Sequence, residues 1–406
     1  MACKYRQRSE NPALASRSSS FAAALLLALA GLSLTTRVAA APDVRQARER
    51  QLRESLLAAV ESFRAQTSTP AVAVGVVADG KIVLRTALGV QHLGQRTPAS
   101  ARTLFHMASV SKPVVATAIM QLAQSGTLGI EDLAWRHVPA FAPADHRWRE
   151  VTIAQLLSHT SGLPDVEDYE WQRPQVDANA LDRYLREWRT SRLVAQPGTA
   201  FSYSNLGYEV LAGVIQHATG ETFEHYMTVN VLRPLGMDDS TFYLPDADPA
   251  LIAWPHRTGA DGRVVPLEFF PYNRPHAASS TLYSNVDDML RFMQLHLSGN
   301  GSIALRLSSQ SLTRQHTADR FTFQHTIPID RHPAFGWFEM KWKGRHLLVH
   351  EGQDDGFTSM LLLEPATQAG LVLMANKRDD ASSSELWTLT LKLLEQLPKV
   401  PGGSPR

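Results

Sequence analysis

Residues 108–125 read ASVSKPVVATAIMQLAQS. Val115, Ala118, Ile119 and Leu122 recur at helical spacing and Gly126 follows as a stop, so the stretch is expected to be a buried helix that the other elements pack around. Pro113 is tolerated in the first turn of a helix and excluded from its interior, which sets the start close to Ser109. Ser109 and Lys112 then share one face, about one turn apart. A hydroxyl at the positive end of a helix has free backbone N–H groups around it, and an ammonium one turn away perturbs its proton. An acylating nucleophile requires both. A serine that only caps a core helix, with its lysine snorkelling to solvent, would give the same local pattern. Lys112 is nonetheless the one lysine of the chain with a serine three residues before it.

Outward from this helix the chain divides by hydrophobic period. Residues 43–66 are charged and amphipathic, as in a surface-packed helix, and the β-rich runs 72–77 and 82–88 are joined by Asp79-Gly80, a hairpin signal. Strand signals return at 334–342, 345–350, 356–364 and 370–376, with a turn at Lys343-Gly344, and a helix is expected over 382–396. Short linkers between successive strands favour antiparallel pairing. Between them, residues 131–300 are mostly helical, broken by Pro-, Gly- and Asn-rich loops at 162–164, 197–198 and 271–275. The expected fold is α/β (α+β): one antiparallel sheet built from both chain ends (41–130 and 301–397), flanked by the terminal helices, with an all-helical region (131–300) inserted and a frayed tail at 398–406.

Composition narrows the function. The chain has 406 residues, enough for one large or two interleaved domains, and a formal charge of +1. No basic run with interleaved aromatics follows the leader, which argues against a nucleic-acid partner. Cys3 is the single cysteine and lies ahead of the apolar segment, so it does not mark a lipid attachment, and the body of the chain has no disulfide or thiolate metal site. No HExxH spacing occurs, and nothing in the pattern requires a metal or a cofactor. Lys4, Arg6, Arg8 and Arg17 precede an apolar run over 21–34 and the small residues Val38, Ala39, Ala40 and Ala41. That is the layout of a secretory signal cleaved after Ala40, and it implies a periplasmic or secreted protein without stable membrane insertion after cleavage. A mitochondrial transit peptide shares the Arg and Ser content but not so continuous an apolar run, and an uncleaved anchor is the third reading.

Two further stretches supply partners for Ser109. In 196–208, QPGTAFSYSNLGY, the triplet Tyr203, Ser204 and Asn205 leads into an apolar helical run. A phenol beside a lysine can shuttle a proton, because a neighbouring cation favours phenolate, and an asparagine amide both donates and accepts. A second triplet, Tyr283, Ser284 and Asn285, is explained by helix capping, with Asp287 three residues after Ser284. In 347–357, LLVHEGQDDGF, His350 ends a β-run and Gly352 permits close backbone approach. A histidine there can tune the phenol and lysine or bind a substrate carboxylate, or it can be structural.

Taken in order, these stretches resemble the serine β-lactamase-like hydrolases, in the branch of class C β-lactamases, DD-peptidases, D-aminopeptidases and related esterases. The resemblance extends over TLFHMASVSKP (103–113), TIAQLLSHTSGLP (152–164), FSYSNLGYEVLAGVI (201–215), VLRPLGMDDSTF (231–242) and LYSNVDDMLRFM (282–293). It implies an α/β domain beside a helical one with the site between them. Ser109 would be the acylated nucleophile, Lys112 its proton relay and Tyr203 the general base and acid. Asn205 would position the acyl side of the substrate, and His350 would stand where β-lactamases carry a lysine. Gly352 would keep the strand open, and the backbone N–H groups of Ser109 and Gln353 would form the oxyanion hole. The third motif departs from the usual lysine-threonine-glycine, being His350, Glu351 and Gly352. Losing the lysine and the hydroxyl removes groups that grip a β-lactam carboxylate, and Glu351 repels one if it faces the site. The implied partner is a small-molecule or peptide substrate with an ester, amide or peptide bond. A β-lactamase, or a binder that keeps the cleft without turnover, is the alternative.

Overall fold

The computed structural model describes residues 42–298 and 331–398. The leader reading (1–40, with Cys3), most of the segment 301–332 and nearly all of the tail 398–406 lie outside the described residues. The described residues from Ala47 onward belong to one compact unit.

The sheet is seven-stranded and antiparallel, in the order β2-β1-β11-β10-β9-β8-β7. β1 (Ala71–Ala78) and β2 (Lys81–Gly89) come from the N-terminal part of the chain. β7 (Arg331–Pro333), β8 (Phe338–Trp342), β9 (Arg345–Asp354), β10 (Phe357–Glu364) and β11 (Ala369–Ala375) come from the C-terminal part. β1 and β11 pair to close the sheet from both ends. Positive φ at Asp79 and Gly80, and again at Lys343 and Gly344, gives the two tight hairpins the backbone twist their strands need. The 334–342 run is not one strand. Gly336 has φ +75°, and a Cβ there would lie 2.5 Å from Ala116 Cβ and 3.0 Å from the Lys112 carbonyl oxygen. The chain leaves the sheet at this glycine to press on the central helix, and so β7 and β8 are separate.

Alternation along β1 buries both faces of the sheet. Val72, Val74 and Val76 pack with Leu56, Val60 and Phe63 of α1 (Pro42–Gln66) and with Trp387 and Leu394 of the C-terminal helix (Asp380–Gln396). Ala73 and Val77 point the other way, into a core shared with α2 (Ser111–Gln124), α5 (Asn205–Thr219) and α8 (Val286–Leu297). The inserted region also contributes α3 (Ile153–Leu157), α4 (Ala180–Glu187), α6 (Phe223–Met227) and α7 (Ala277–Ser280). It is not purely helical. β4 (His256–Thr258) pairs with β5 (Val264–Pro266), and β6 (Tyr283–Ser284) pairs with β3 (Phe105–His106), which ties the insertion to the segment leading into Ser109.

Two start points differ from the sequence reading. Residues Ala108–Val110 form a tight 3₁₀ turn, and α2 begins only at Ser111, with Pro113 in its first turn. Capping of α8 falls to Asn285, whose side chain accepts from the Asp288 N–H; Ser284 Oγ instead pairs with Ser240 Oγ.

Candidate active site

Ser109 is the middle residue of the 3₁₀ turn, following Ala108, which adopts φ +47° without being glycine. Backbone strain of this kind persists only where neighbours hold it, and here β9 does so. A Cβ on Gly352 would lie 2.2 Å from the Met107 carbonyl oxygen and 3.0 Å from Ala108 Cβ, so the strand and the turn can touch only at a glycine. The β8–β9 ladder stops at Phe338 and Val349. From His350 onward the outer edge of β9 therefore has no strand partner among the described residues, and it faces the Ser109 turn.

Lys112 is fully buried, and its Nζ has three partners: Ser109 Oγ at 2.9 Å, Asn205 Oδ1 at 2.7 Å and the Ser279 carbonyl at 2.8 Å. Burial pushes its ammonium down to about 8, against the opposing pull of Glu209, Asp165 and Asp354. The orientation of the Asn205 amide is fixed. Its Nδ2 donates to Asp165 Oδ1 at 2.9 Å, and the Asn205 N–H donates to the same oxygen at 2.7 Å, so Oδ1 must face the lysine. Tyr203 donates its hydroxyl to Ser109 Oγ at 3.0 Å. The His159 imidazole stacks on the phenol ring at 4.2 Å and accepts the Ser204 N–H through Nδ1. Ser204 caps α5, accepting from the Gly207 N–H, which sets Asn205 as the first residue of that helix.

The expectation that the lysine draws Tyr203 toward phenolate is reversed. Burial holds the Tyr203 hydroxyl well above its ordinary range, and the Ser109 hydrogen bond offsets only part of this, so the phenol rests protonated. His350 is buried, and its Nδ1 lies 2.8 Å from the Glu351 carbonyl oxygen. Burial and the Lys112 charge push it down to about 3, so it is neutral. Glu351 follows on β9 and is among the residues that line the same cleft as Ser109. Its carboxylate turns to Arg331, 3.1 Å away, and to the Trp387 indole N–H.

Ser109, Tyr203, Asn205, His350 and Gln353 line one cleft of about 760 Å³, with Asp165, Tyr169, Trp171, Asp354 and Arg378 among its other walls. The sequence reading passed over Asp165, His159, Ser279 and Glu209. Glu209 is fully buried and accepts the Ser279 hydroxyl directly behind the lysine. A histidine at 159 and an aspartate at 165 flank the quoted GLP segment, but nothing local says that one stacks on a phenol and the other orients an amide. The described residues hold no cluster of His, Cys, Asp and Glu fit for a metal ion, and no described helix is long and apolar enough to cross a membrane.

Similarity to known proteins runs over the same span. Protein flp of Staphylococcus aureus (strain MW2) is 30% identical over 311 residues, 76% of this chain and 59% of that protein. The chain thus spans less than two thirds of that relative's length. Penicillin-binding protein 4* of Bacillus subtilis is 27% identical over 74% of this chain and 67% of its own. The octameric penicillin-binding protein homologue from Pyrococcus abyssi superposes with a TM-score of 0.69 at 22% identity, covering 85% of this chain and 79% of that one, and shares the fold. The Beta-lactamase family model matches residues 56–395, from within α1 to the end of the C-terminal helix, and the chain belongs to that family.

Proposed function

We propose that the protein is a serine hydrolase that forms a covalent acyl-enzyme on Ser109 and cleaves an ester, amide or peptide bond, as an esterase or D-amino-acid peptidase more than as a β-lactamase. One observation carries the reading: in a single cleft, the Ser109 hydroxyl lies within 3.0 Å of both a buried amine and a buried phenol.

The hydrogen-bond inventory supports one path for the proton. Asn205 Oδ1 and the Ser279 carbonyl can only accept, so they hold two N–H bonds of Lys112 whatever its charge. When the amine is neutral, its lone pair is left for Ser109. Lys112 takes the serine proton as Oγ bonds to the substrate carbonyl carbon, and negative charge develops on the carbonyl oxygen. The N–H groups of Ser109 and Gln353 are the proposed donors to that oxygen, each worth ~3–4 kcal/mol by analogy with other hydrolases. As the carbon–leaving-group bond breaks, Tyr203 gives its proton to the leaving group and is recharged from the Lys112 ammonium. Water then attacks the acyl carbon and gives a proton to Lys112, the bond from that carbon to Oγ breaks, and Lys112 returns the proton to Ser109 as the acid leaves. Base and acid are thus divided between Lys112 and Tyr203. Asn205, held by Asp165, fixes the amine and reaches the acyl side.

Against β-lactams stands the third motif, where Glu351 is committed to Arg331 and His350 is uncharged. The basic, apolar leader supports export to the periplasm or medium. A panel of p-nitrophenyl acetate, D-alanyl peptides and nitrocefin tests the ranking. Turnover of the ester or the peptides, lost in Ser109→Ala, is expected. Faster nitrocefin turnover would replace this reading with a β-lactamase, and no turnover of any member would favour a binder.

A further inference from the structure

Glu209 is a charged residue in the apolar run of α5, and no step of the reaction above uses it. It is fully buried and stands four residues after Asn205, so the two project from one face of the helix. Its Oε1 accepts the Ser279 hydroxyl and lies 3.3 Å from Nδ1 of His276, which is itself 1% exposed. Its Oε2 has no partner among the described residues. The carbonyl oxygen of the same Ser279 accepts an N–H of Lys112 at 2.8 Å. One residue of α7 thus joins the carboxylate to the amine: its hydroxyl is held by Glu209, and its carbonyl holds Nζ.

A buried carboxylate with an unsatisfied oxygen is costly unless a counter-charge faces it, and the surroundings point to Lys112 in that role. The Tyr203 and Tyr208 rings lie 5.0 and 5.4 Å from Nζ, and burial keeps both phenols protonated. His159 and His350 are held neutral, by burial first and by the Lys112 charge second. Three carboxylates favour the ammonium. Asp165 is bonded to Asn205 and Asp354 to His106, and Glu209 acts most strongly of the three. Around His276 stand the rings of Tyr169, Trp171 and Tyr184, at 4.8, 5.8 and 4.7 Å, and burial keeps the two phenols protonated. Arg274, two residues before His276, is paired with Glu224.

Resting on the hydrolase reading above, we propose that Glu209 is a positioning residue of the reaction. With His276 behind it and Ser279 in front, it is the buried counter-charge that makes the Lys112 amine a strong enough base to take the serine proton and hold it as ammonium until Tyr203 is recharged. The sign follows from electrostatics. A negative charge behind the amine favours the ammonium, so removing it lets the amine lose its proton at lower pH and weakens it as a base.

The test is the pH profile of kcat/KM for p-nitrophenyl acetate on the full-length protein and on three variants. Glu209→Gln keeps an acceptor for Ser279 without the charge, Glu209→Met keeps only the length, and Glu209→Asp keeps the charge. The rising limb should move down by about one pH unit or more in Gln and Met and stay near the wild-type position in Asp. KM should move little, since Glu209 is not among the described lining residues of the cleft. A limb that stays put in Gln and Met, or that moves as far in Asp, overturns the proposal; so does loss of fold in both Gln and Met, which would assign Glu209 to stability alone. A titration without turnover separates this proposal from the hydrolase reading. In protein labelled with ¹³C-lysine, the Lys112 signal, identified by its absence from Lys112→Met, should titrate at lower pH in Glu209→Gln than in the wild type. That result supports the counter-charge even if no ester is cleaved, and an unchanged Lys112 titration contradicts it even if the ester is turned over.

Discussion

At Lys112 three acceptors compete for one amine, and the chemistry depends on which of them loses. Two are carbonyl-type oxygens that cannot donate, so deprotonation leaves the lone pair on the Ser109 side. Burial holds the ammonium near 8, below the ordinary 10.5 of a lysine, and the neutral form is the one that can accept a proton. Activity should therefore rise with pH on a limb near 8 and level off above it; a kcat/KM profile that falls through this range would assign the base elsewhere. The two tyrosine triplets give a second contrast. Tyr203 touches Ser109, whereas the buried Tyr283 hydroxyl has no partner among the described residues. Tyr203→Phe should lower kcat about 10²–10⁴-fold, the range for a lost acid or base. Tyr283→Phe removes a polar atom that gains nothing from burial, so kcat and melting temperature should barely move. Steady-state kinetics of the two variants under one buffer decide the matter, and the opposite order would mean that the wrong triplet was chosen.

The elements work by contact between β9 and the Ser109 turn. Gly352→Ala puts a methyl group 2.2 Å from the Met107 carbonyl oxygen and 2.5 Å from Ser359 Oγ, and the first of these is backbone that cannot swing aside. The strand must move off the turn. A loss of about 1–3 kcal/mol in stability by denaturant unfolding, with a fall in kcat, is expected; a variant with wild-type kcat would show that the contact does not position the nucleophile. Much of this element-level arrangement was legible in the sequence. Alternating apolar runs and the Asp79-Gly80 and Lys343-Gly344 turns marked the strands, and Pro113 bounded the helix. The break at Gly336 was not legible, because a glycine in an apolar run looks like strand until the helix it presses against is in place. The same limit hid Asp165 and His159, whose partners lie 40 or more residues away in the chain.

Across the molecule, the sheet and the inserted helices do not have separate interiors. Ala73, Leu361 and Met374 from the strands share one continuous core with Leu157, Leu211 and Phe242 from the insertion. The division into 41–130 with 301–397 and 131–300 is therefore one of chain order, and the described residues from Ala47 onward cohere as a unit. Calorimetric melting should show a single main transition for sheet and helical region together, and two well-separated transitions would contradict the shared core. Because the cleft draws residues from both parts, Ser109 and Lys112 from one and Tyr203 and Asn205 from the other, loss of either part removes the site.

The central claim is that Ser109 is an acylated nucleophile, and it is tested most directly by intact-mass spectrometry after treatment with a fluorophosphonate probe. One adduct per chain, mapped by peptide sequencing to Ser109 and absent from Ser109→Ala, is the result expected. An unmodified Ser109 under conditions that label a control serine hydrolase, or an adduct that persists in Ser109→Ala, would contradict it.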